Sequence, residues 1–145
     1  LVSQNIDGAS LLKIIEGALA GSGVEKERVA ISGPEIPVSS RNAVMISLAI
    51  HEMCTNAMKY GAFSTGEGQL NIEWGLDEKK ERFFFNWTEK GGPKVTQPTR
   101  KGFGTSLIEK GLGSDLGGEI TLDYRPEGLS CRFIGPAPKK LPDTK

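Results

Sequence analysis

The sequence predicts an α/β fold, a two-layer sandwich in which helices cover one face of a mixed, mostly antiparallel sheet. Three observations carry that prediction. Helix-period and strand-period segments follow one another as helix, strand, helix, two strands, loop, helix, two strands. Residues 40–60 form one long helical stretch with serines before it and Gly61 after it. Residues 69–76 alternate apolar and polar, with Leu70, Ile72, Trp74 and Leu76 sharing a side, as in a half-buried strand.

Taken in order, residues 10–19 read as a helix, with Leu11, Ile14, Ile15 and Ala18 at helical spacing and Gly21-Ser22-Gly23 as its stop. Val29-Ala30-Ile31 reads as a short strand closed by Gly33-Pro34. In the long helix, Ser39 or Ser40 is the N-cap, and Val44, Leu48 and Met53 are expected near one apolar stripe. A charged turn at 77–81 leads into strand 83–87, apolar enough to suggest burial on both faces. Residues 90–101 form a loop of glycine, proline and basic residues, and 105–116 read as a helix broken by Gly117-Gly118. Strands 119–124 and 129–134 make a hairpin around Pro126-Glu127-Gly128. One domain is expected over residues 1–138, with 139–145 a disordered polar tail.

Length and composition exclude several classes. A chain of 145 residues is one domain by size, and 37% hydrophobic with 25% charged residues suits a packed core. Eighteen basic residues balance eighteen acidic ones, so the net basic footprint of a nucleic-acid binder is missing. No apolar run approaches the ~20 residues of a membrane span, and the opening residues do not read as a signal peptide. A cytoplasmic domain without membrane contact is therefore expected. Cys54 and Cys131 lie in apolar patterning with no CxxC pair, and His51 is the one histidine, which speaks against structural zinc and for reduced thiols. Nineteen glycines include clusters at Gly91-Gly92, Gly102-Phe103-Gly104 and Gly117-Gly118.

The chemistry-bearing residues begin in the long helix, at His51-Glu52-Met53-Cys54-Thr55-Asn56-Ala57-Met58-Lys59-Tyr60-Gly61. Glu52 and Asn56 are offset by only about 40° around a helix, and Lys59 and Tyr60 flank them one turn on. An amide and a carboxylate suit Mg²⁺, and a lysine suits phosphate; a solvated polar helix face accounts for the same triple. Further on, Trp87-Thr88-Glu89 ends a strand and runs into Gly91-Gly92-Pro93. A carboxylate there can accept a hydrogen bond from an exocyclic amine such as that of adenine. Gly102-Phe103-Gly104-Thr105-Ser106 then opens a helix, where backbone amides can approach an anion. Neither a P-loop nor a full dinucleotide fingerprint is present.

Together the segments HEMCTNAMKYGA, WTEKGGP and GFGTSLI resemble the ATP-binding catalytic domain of HWE-type sensor histidine kinases. This branch belongs to the superfamily of gyrase, Hsp90-type chaperones, histidine kinases and MutL. Its name refers to a histidine and a W-x-E motif, here His51 and Trp87-Thr88-Glu89. The resemblance extends over residues 10–138 and implies a Bergerat-type fold, with ATP between the long helix and the sheet. It implies that Asn56 holds Mg²⁺ against the ATP phosphates and that Lys59 contacts phosphate oxygens. Glu52 matches the general base of the superfamily's ATPases; in a kinase it orders a metal-bound water or assists the acceptor histidine. Glu89 stands for the aspartate that reads the adenine amine elsewhere, and Gly91 and Gly92 keep the adenine pocket open. Pro93 departs from the wider superfamily's second glycine. Gly102, Gly104, Thr105 and Ser106 would cradle phosphates, beneath a short lid at 93–101 whose Arg100 and Lys101 close over the γ-phosphate. Tyr60 either lines the ribose side or packs at the helix end. His51 has three readings: shaping the site or contacting the lid, simple packing, and, least favoured, phosphoacceptor.

In this family the phosphoacceptor histidine lies on an upstream dimerisation domain. A monomeric catalytic fragment is therefore expected, one that binds Mg·ATP without phosphorylating itself. Its partners would be that dimerisation domain and a response regulator. Two other functions stay open on the sequence: a serine kinase of the anti-sigma-factor type, and a nucleotide-gated protein-binding module.

Overall fold

Serine caps set both helices. The computed structural model describes residues 9–77, 79, 81–93 and 117–136. Helix α1 (Leu11–Gly21) starts at Ser10, whose hydroxyl accepts from the Lys13 amide at 3.3 Å. It runs two residues beyond the expected end, because Ser22 caps it, donating through Oγ to the Ala18 carbonyl at 2.8 Å, before Gly23 turns the chain. Helix α2 (Ser40–Lys59) is capped by Ser39, whose hydroxyl accepts from the Asn42 amide at 3.2 Å. Lys59 in its last turn favours the negative end of the helix dipole.

The buried side of α2 is Ala49, Ile50, Met53, Cys54 and Ala57. Of the expected stripe only Met53 belongs to it; Val44 is 58% exposed and Leu48 47%. Helical rotation explains the difference. Val44 precedes Met53 by about 900° of turn, which places it opposite, and Leu48 by about 500°, or 140° away.

The main sheet contains β2 (Val29–Ser32), β4 (Gln69–Leu76), β5 (Arg82–Lys90), β6 (Glu119–Arg125) and β7 (Gly128–Pro136), in the order β2-β4-β5-β7-β6. Among the described strands β2 and β4 pair in parallel, and the other neighbours in this sheet are antiparallel. This is the mixed, mostly antiparallel arrangement that the sequence predicts. A separate antiparallel pair joins β1 (Ala9–Ser10) to β3 (Pro37–Val38) and was not expected, since two residues are too short to show a period. It fastens the start of α1 to the approach to α2, and the Leu11 amide adds a bond to the Ile36 carbonyl at 2.9 Å.

Strand β5 departs from its expected two-sided burial. Phe83, Phe85, Trp87 and Glu89 are buried, while Phe84, Asn86 and Thr88 between them are half-buried. Among the described residues the helices cover one face, so the strand alternates. In register, Trp87 lies between Ile72 and Cys131, and Leu70 lies opposite Glu89. The core joins Leu11, Ile15, Ile50 and Met53 of the helices to Ile72, Trp74, Phe85, Trp87 and Phe133 of the sheet. Both Cys54 and Cys131 are buried in it. The expected helix at 105–116, the loop at 94–101 and the tail at 139–145 lie outside the described residues. No helix among the described residues is long and apolar enough to cross a membrane.

Candidate functional site

The end of α2 meets the end of β5, and Glu89 lies at the junction. Residues 87 and 89 of a strand point to the same face, so Trp87 and Glu89 both turn inward toward the helices. Glu89 is 3% exposed, an unusual place for a carboxylate. Two donors hold it: the Ala62 amide gives a hydrogen bond to Oε1 at 3.0 Å, and the Trp87 indole N–H gives one to Oε2 at 2.8 Å. Burial pushes the Glu89 carboxyl above its ordinary value, and the bonds from Trp87 and Ala62 work against that rise.

Two glycines permit the approach. A Cβ on Gly61 would stand 2.3 Å from Glu89 Oε1, and one on Gly92 would stand 2.8 Å from Gly61 and Ala62 backbone atoms. A side chain at Gly92 would force the α2 end and the β5 end apart, and one at Gly61 would displace the Glu89 carboxyl from its two donors. Thr65 Oγ1 adds a bond to the Gly91 carbonyl at 3.1 Å across the same seam.

A residue that no motif singled out organises the loop from Ala62 to Gly68. Arg28, just before β2, donates to the carbonyls of Gly68 at 3.0 Å, Ala62 at 3.1 Å and Thr65. Its guanidinium also lies 5.1 Å from the Phe63 ring centroid. The fork geometry of arginine suits such a cluster of carbonyls. Nothing in the sequence signals it, since a lone arginine before a strand is common.

The remaining expected residues fall into three groups. Glu52 and Asn56 are half-buried and Lys59 is exposed, all three in the C-terminal part of α2, and Tyr60, the residue that caps it, is 72% exposed. The helix leads into Gly61 and Ala62, which meet Glu89 and Gly92. His51 lies about 140° around the helix from Asn56 and faces α1. Its Nδ1 is 3.1 Å from Ser22 Oγ. Arg100, Lys101, Gly102, Gly104, Thr105 and Ser106 lie outside the described residues.

Over 139 residues, 94% of this chain, the sequence is 37% identical to the blue-light-activated histidine kinase of Brucella ovis and 36% identical to that of Brucella anthropi. Over nearly its whole length, then, this chain is similar to one part of a histidine kinase. It spans 28% of the length of those relatives. No family model matches it. The fold agrees with solved histidine kinases. The histidine kinase domain of an Erythrobacter litoralis blue-light-activated histidine kinase superposes with a TM-score of 0.68 at 16% identity, over 87% of this chain and 58% of that one. A mycobacterial sensor histidine kinase, MprB, gives 0.69 at 13% identity, over 92% of this chain and 99% of that one. Within this shared fold, the chain has its buried acid at the point where α2 and β5 converge.

Proposed function

We propose that this chain is the Mg·ATP-binding catalytic domain of a two-component sensor histidine kinase of the HWE branch. The observation that carries the reading is Glu89, an acid kept 3% exposed between two donors at a glycine-lined seam. Burying a carboxylate is costly, and two neutral N–H donors could be satisfied by a less expensive acceptor. A carboxyl acceptor in that place is suited to reading an exocyclic amine, and a purine nucleotide is the ligand that this chemistry points to.

In this reading Glu89 accepts from the adenine amine, and Gly91 and Gly92 let the end of β5 pack closely on the Gly61–Gly68 backbone beside it. Asn56 offers its amide oxygen to Mg²⁺, Lys59 offers its charge to phosphate, and Tyr60 lines the ribose side. Among the described residues no group of three or more His, Cys, Asp or Glu could hold a metal. A Mg²⁺ here would take one protein amide, phosphate oxygens and water, a set that suits this ion. Glu52 orders water near the phosphates or assists the acceptor. Arg100, Lys101, Gly102, Gly104, Thr105 and Ser106 are assigned to the phosphates on the sequence alone. Bound Mg·ATP would supply a γ-phosphoryl group for a histidine of the parent's dimerisation domain, and thence for an aspartate of a response regulator. The chain's own share is positioning and charge neutralisation, which provide most catalysis in such transfers. His51, bonded to Ser22, is assigned to fixing the seam between α1 and α2.

Calorimetric titration of the chain with Mg·ATP tests the site. Binding is expected, and Asn56→Asp should weaken it by about tenfold or more, through altered charge and lost amide contacts. Affinity unchanged in Asn56→Asp would overturn the Mg²⁺ assignment, and no binding by the wild type would overturn the nucleotide site. With radiolabelled ATP, acid-labile label should appear on added upstream helices and not on this chain. Acid-stable label on a partner would favour serine transfer instead.

A further inference from the structure

The two tryptophans of the chain satisfy their indole N–H groups differently. Trp74 donates to the backbone carbonyl of Pro34 at 2.8 Å, the ordinary solution for a core tryptophan. Trp87, which is fully buried, donates instead to the side chain of Glu89. A glutamate has three rotatable side-chain bonds, and an unrestrained one would sample several orientations. Here one oxygen is held by a backbone amide from the end of α2 and the other by an indole from its own strand. These two bonds fix the plane of the carboxylate. A carboxylate has about four lone-pair sites, so two remain for another donor.

We infer that Trp87 is a positioning residue for base selection: its indole N–H, paired with the Ala62 amide, presets the Glu89 carboxylate as the acceptor for a purine's exocyclic amine. The inference rests on the nucleotide-site reading above and adds a specificity role for a side chain that otherwise serves as core. Removing only the indole N–H should leave phosphate and ribose contacts intact and reduce the value of the amine.

The test is a cycle between protein and ligand. Wild-type chain and Trp87→Phe are titrated calorimetrically with ATP and with purine riboside triphosphate, which lacks the 6-amino group, both with Mg²⁺. Wild type should prefer ATP by about tenfold or more, as expected for a hydrogen bond to a charged group. In Trp87→Phe the preference should shrink to within about threefold, with affinity for the analogue nearly unchanged. A folded Trp87→Phe that keeps the full preference overturns the inference, as does equal loss for both ligands. Wild type binding both ligands equally also overturns it while leaving the nucleotide site standing; wild type binding neither removes the site itself. If circular dichroism shows Trp87→Phe unfolded, ¹⁵N-indole resonances of the wild type decide. ATP should shift the Trp87 indole N–H and the analogue should not, and an equal response to both ligands overturns the inference.

Discussion

Replacing Glu89 by glutamine changes one atom at the most enclosed point of the site, and its effect can be worked from two bonds. The carboxylate accepts from Ala62 on one oxygen and from Trp87 on the other. A glutamine has one oxygen and one amide nitrogen, so whichever way it is turned, one N–H donor faces an NH₂ group. Leaving a buried donor unsatisfied costs about 1–3 kcal/mol. Against this stands relief from burying a charge, and the two effects separate with pH. The folded-state pKa of Glu89 is raised by burial above its ordinary 4.5. Its contribution to stability is therefore fully present below about pH 4.5 and is lost as pH rises through the folded value. The glutamine variant has no such slope. Its deficit relative to wild type should be largest at pH 5, about 1–3 kcal/mol, and should narrow by pH 8. Urea unfolding followed by tryptophan fluorescence at the two pH values measures this. A variant at least as stable as wild type at pH 5, with an unchanged denaturant slope, would refute the two-donor account.

Three further outcomes follow from the same region and the core. Gly61→Ala places a methyl 2.3 Å from Glu89 Oε1 and 3.1 Å from Ala57 Cα, and should cost about 1–3 kcal/mol in thermal or urea unfolding. Arg28→Met removes the bonds to Gly68, Ala62 and Thr65 carbonyls and should destabilise by about 2–4 kcal/mol, with faster amide exchange across residues 62–68. Arg28→Lys should recover only part of this, because an ammonium lacks the fork. Burial pushes the Cys54 thiol up to about 11, so iodoacetamide at pH 8 should modify it only in urea, read by mass spectrometry. Rapid modification of Cys54 in the folded chain would contradict its burial.

Much of the fold could be read from local pattern. Leu70, Ile72 and Trp74 gave β4 its full extent through strict alternation, and Ser39 gave α2 its start. The apolar stripe of α2 was misplaced because Val44 and Leu48 are apolar yet out of phase with Met53, and pattern alone does not say which apolar residues stay exposed. β5 read as doubly buried because Phe84 is apolar; the Arg132 guanidinium, 5.9 Å from its ring centroid, covers part of that outer face. Within the site, the acid at the strand end was legible from Trp87-Thr88-Glu89, and so was its company of glycines. The hold on Glu89 by Trp87 and Ala62 was not legible, because it depends on where the end of α2 meets the strand. Arg28 was illegible because its carbonyl partners come from a loop with no side-chain signature. His51 was ambiguous beside Glu52, since adjacent helical residues face apart and only the position of Ser22 shows which way the ring turns.

The parallel pairing of β2 with β4 bears on the order in which the chain folds. The β4–β5 and β6–β7 hairpins close over short turns, whereas Arg28 and Gly68 are 40 residues apart in sequence, with all of α2 between them. Loop-closure entropy makes such a distant contact late, after the intervening helix has docked. The Arg28 clamp, and with it the loop that presents the Ala62 amide to Glu89, should therefore mature last. By the same reasoning it should open first when the domain breathes. A nascent or heat-stressed chain would then lose the hold on Glu89 while most of its sheet was still intact.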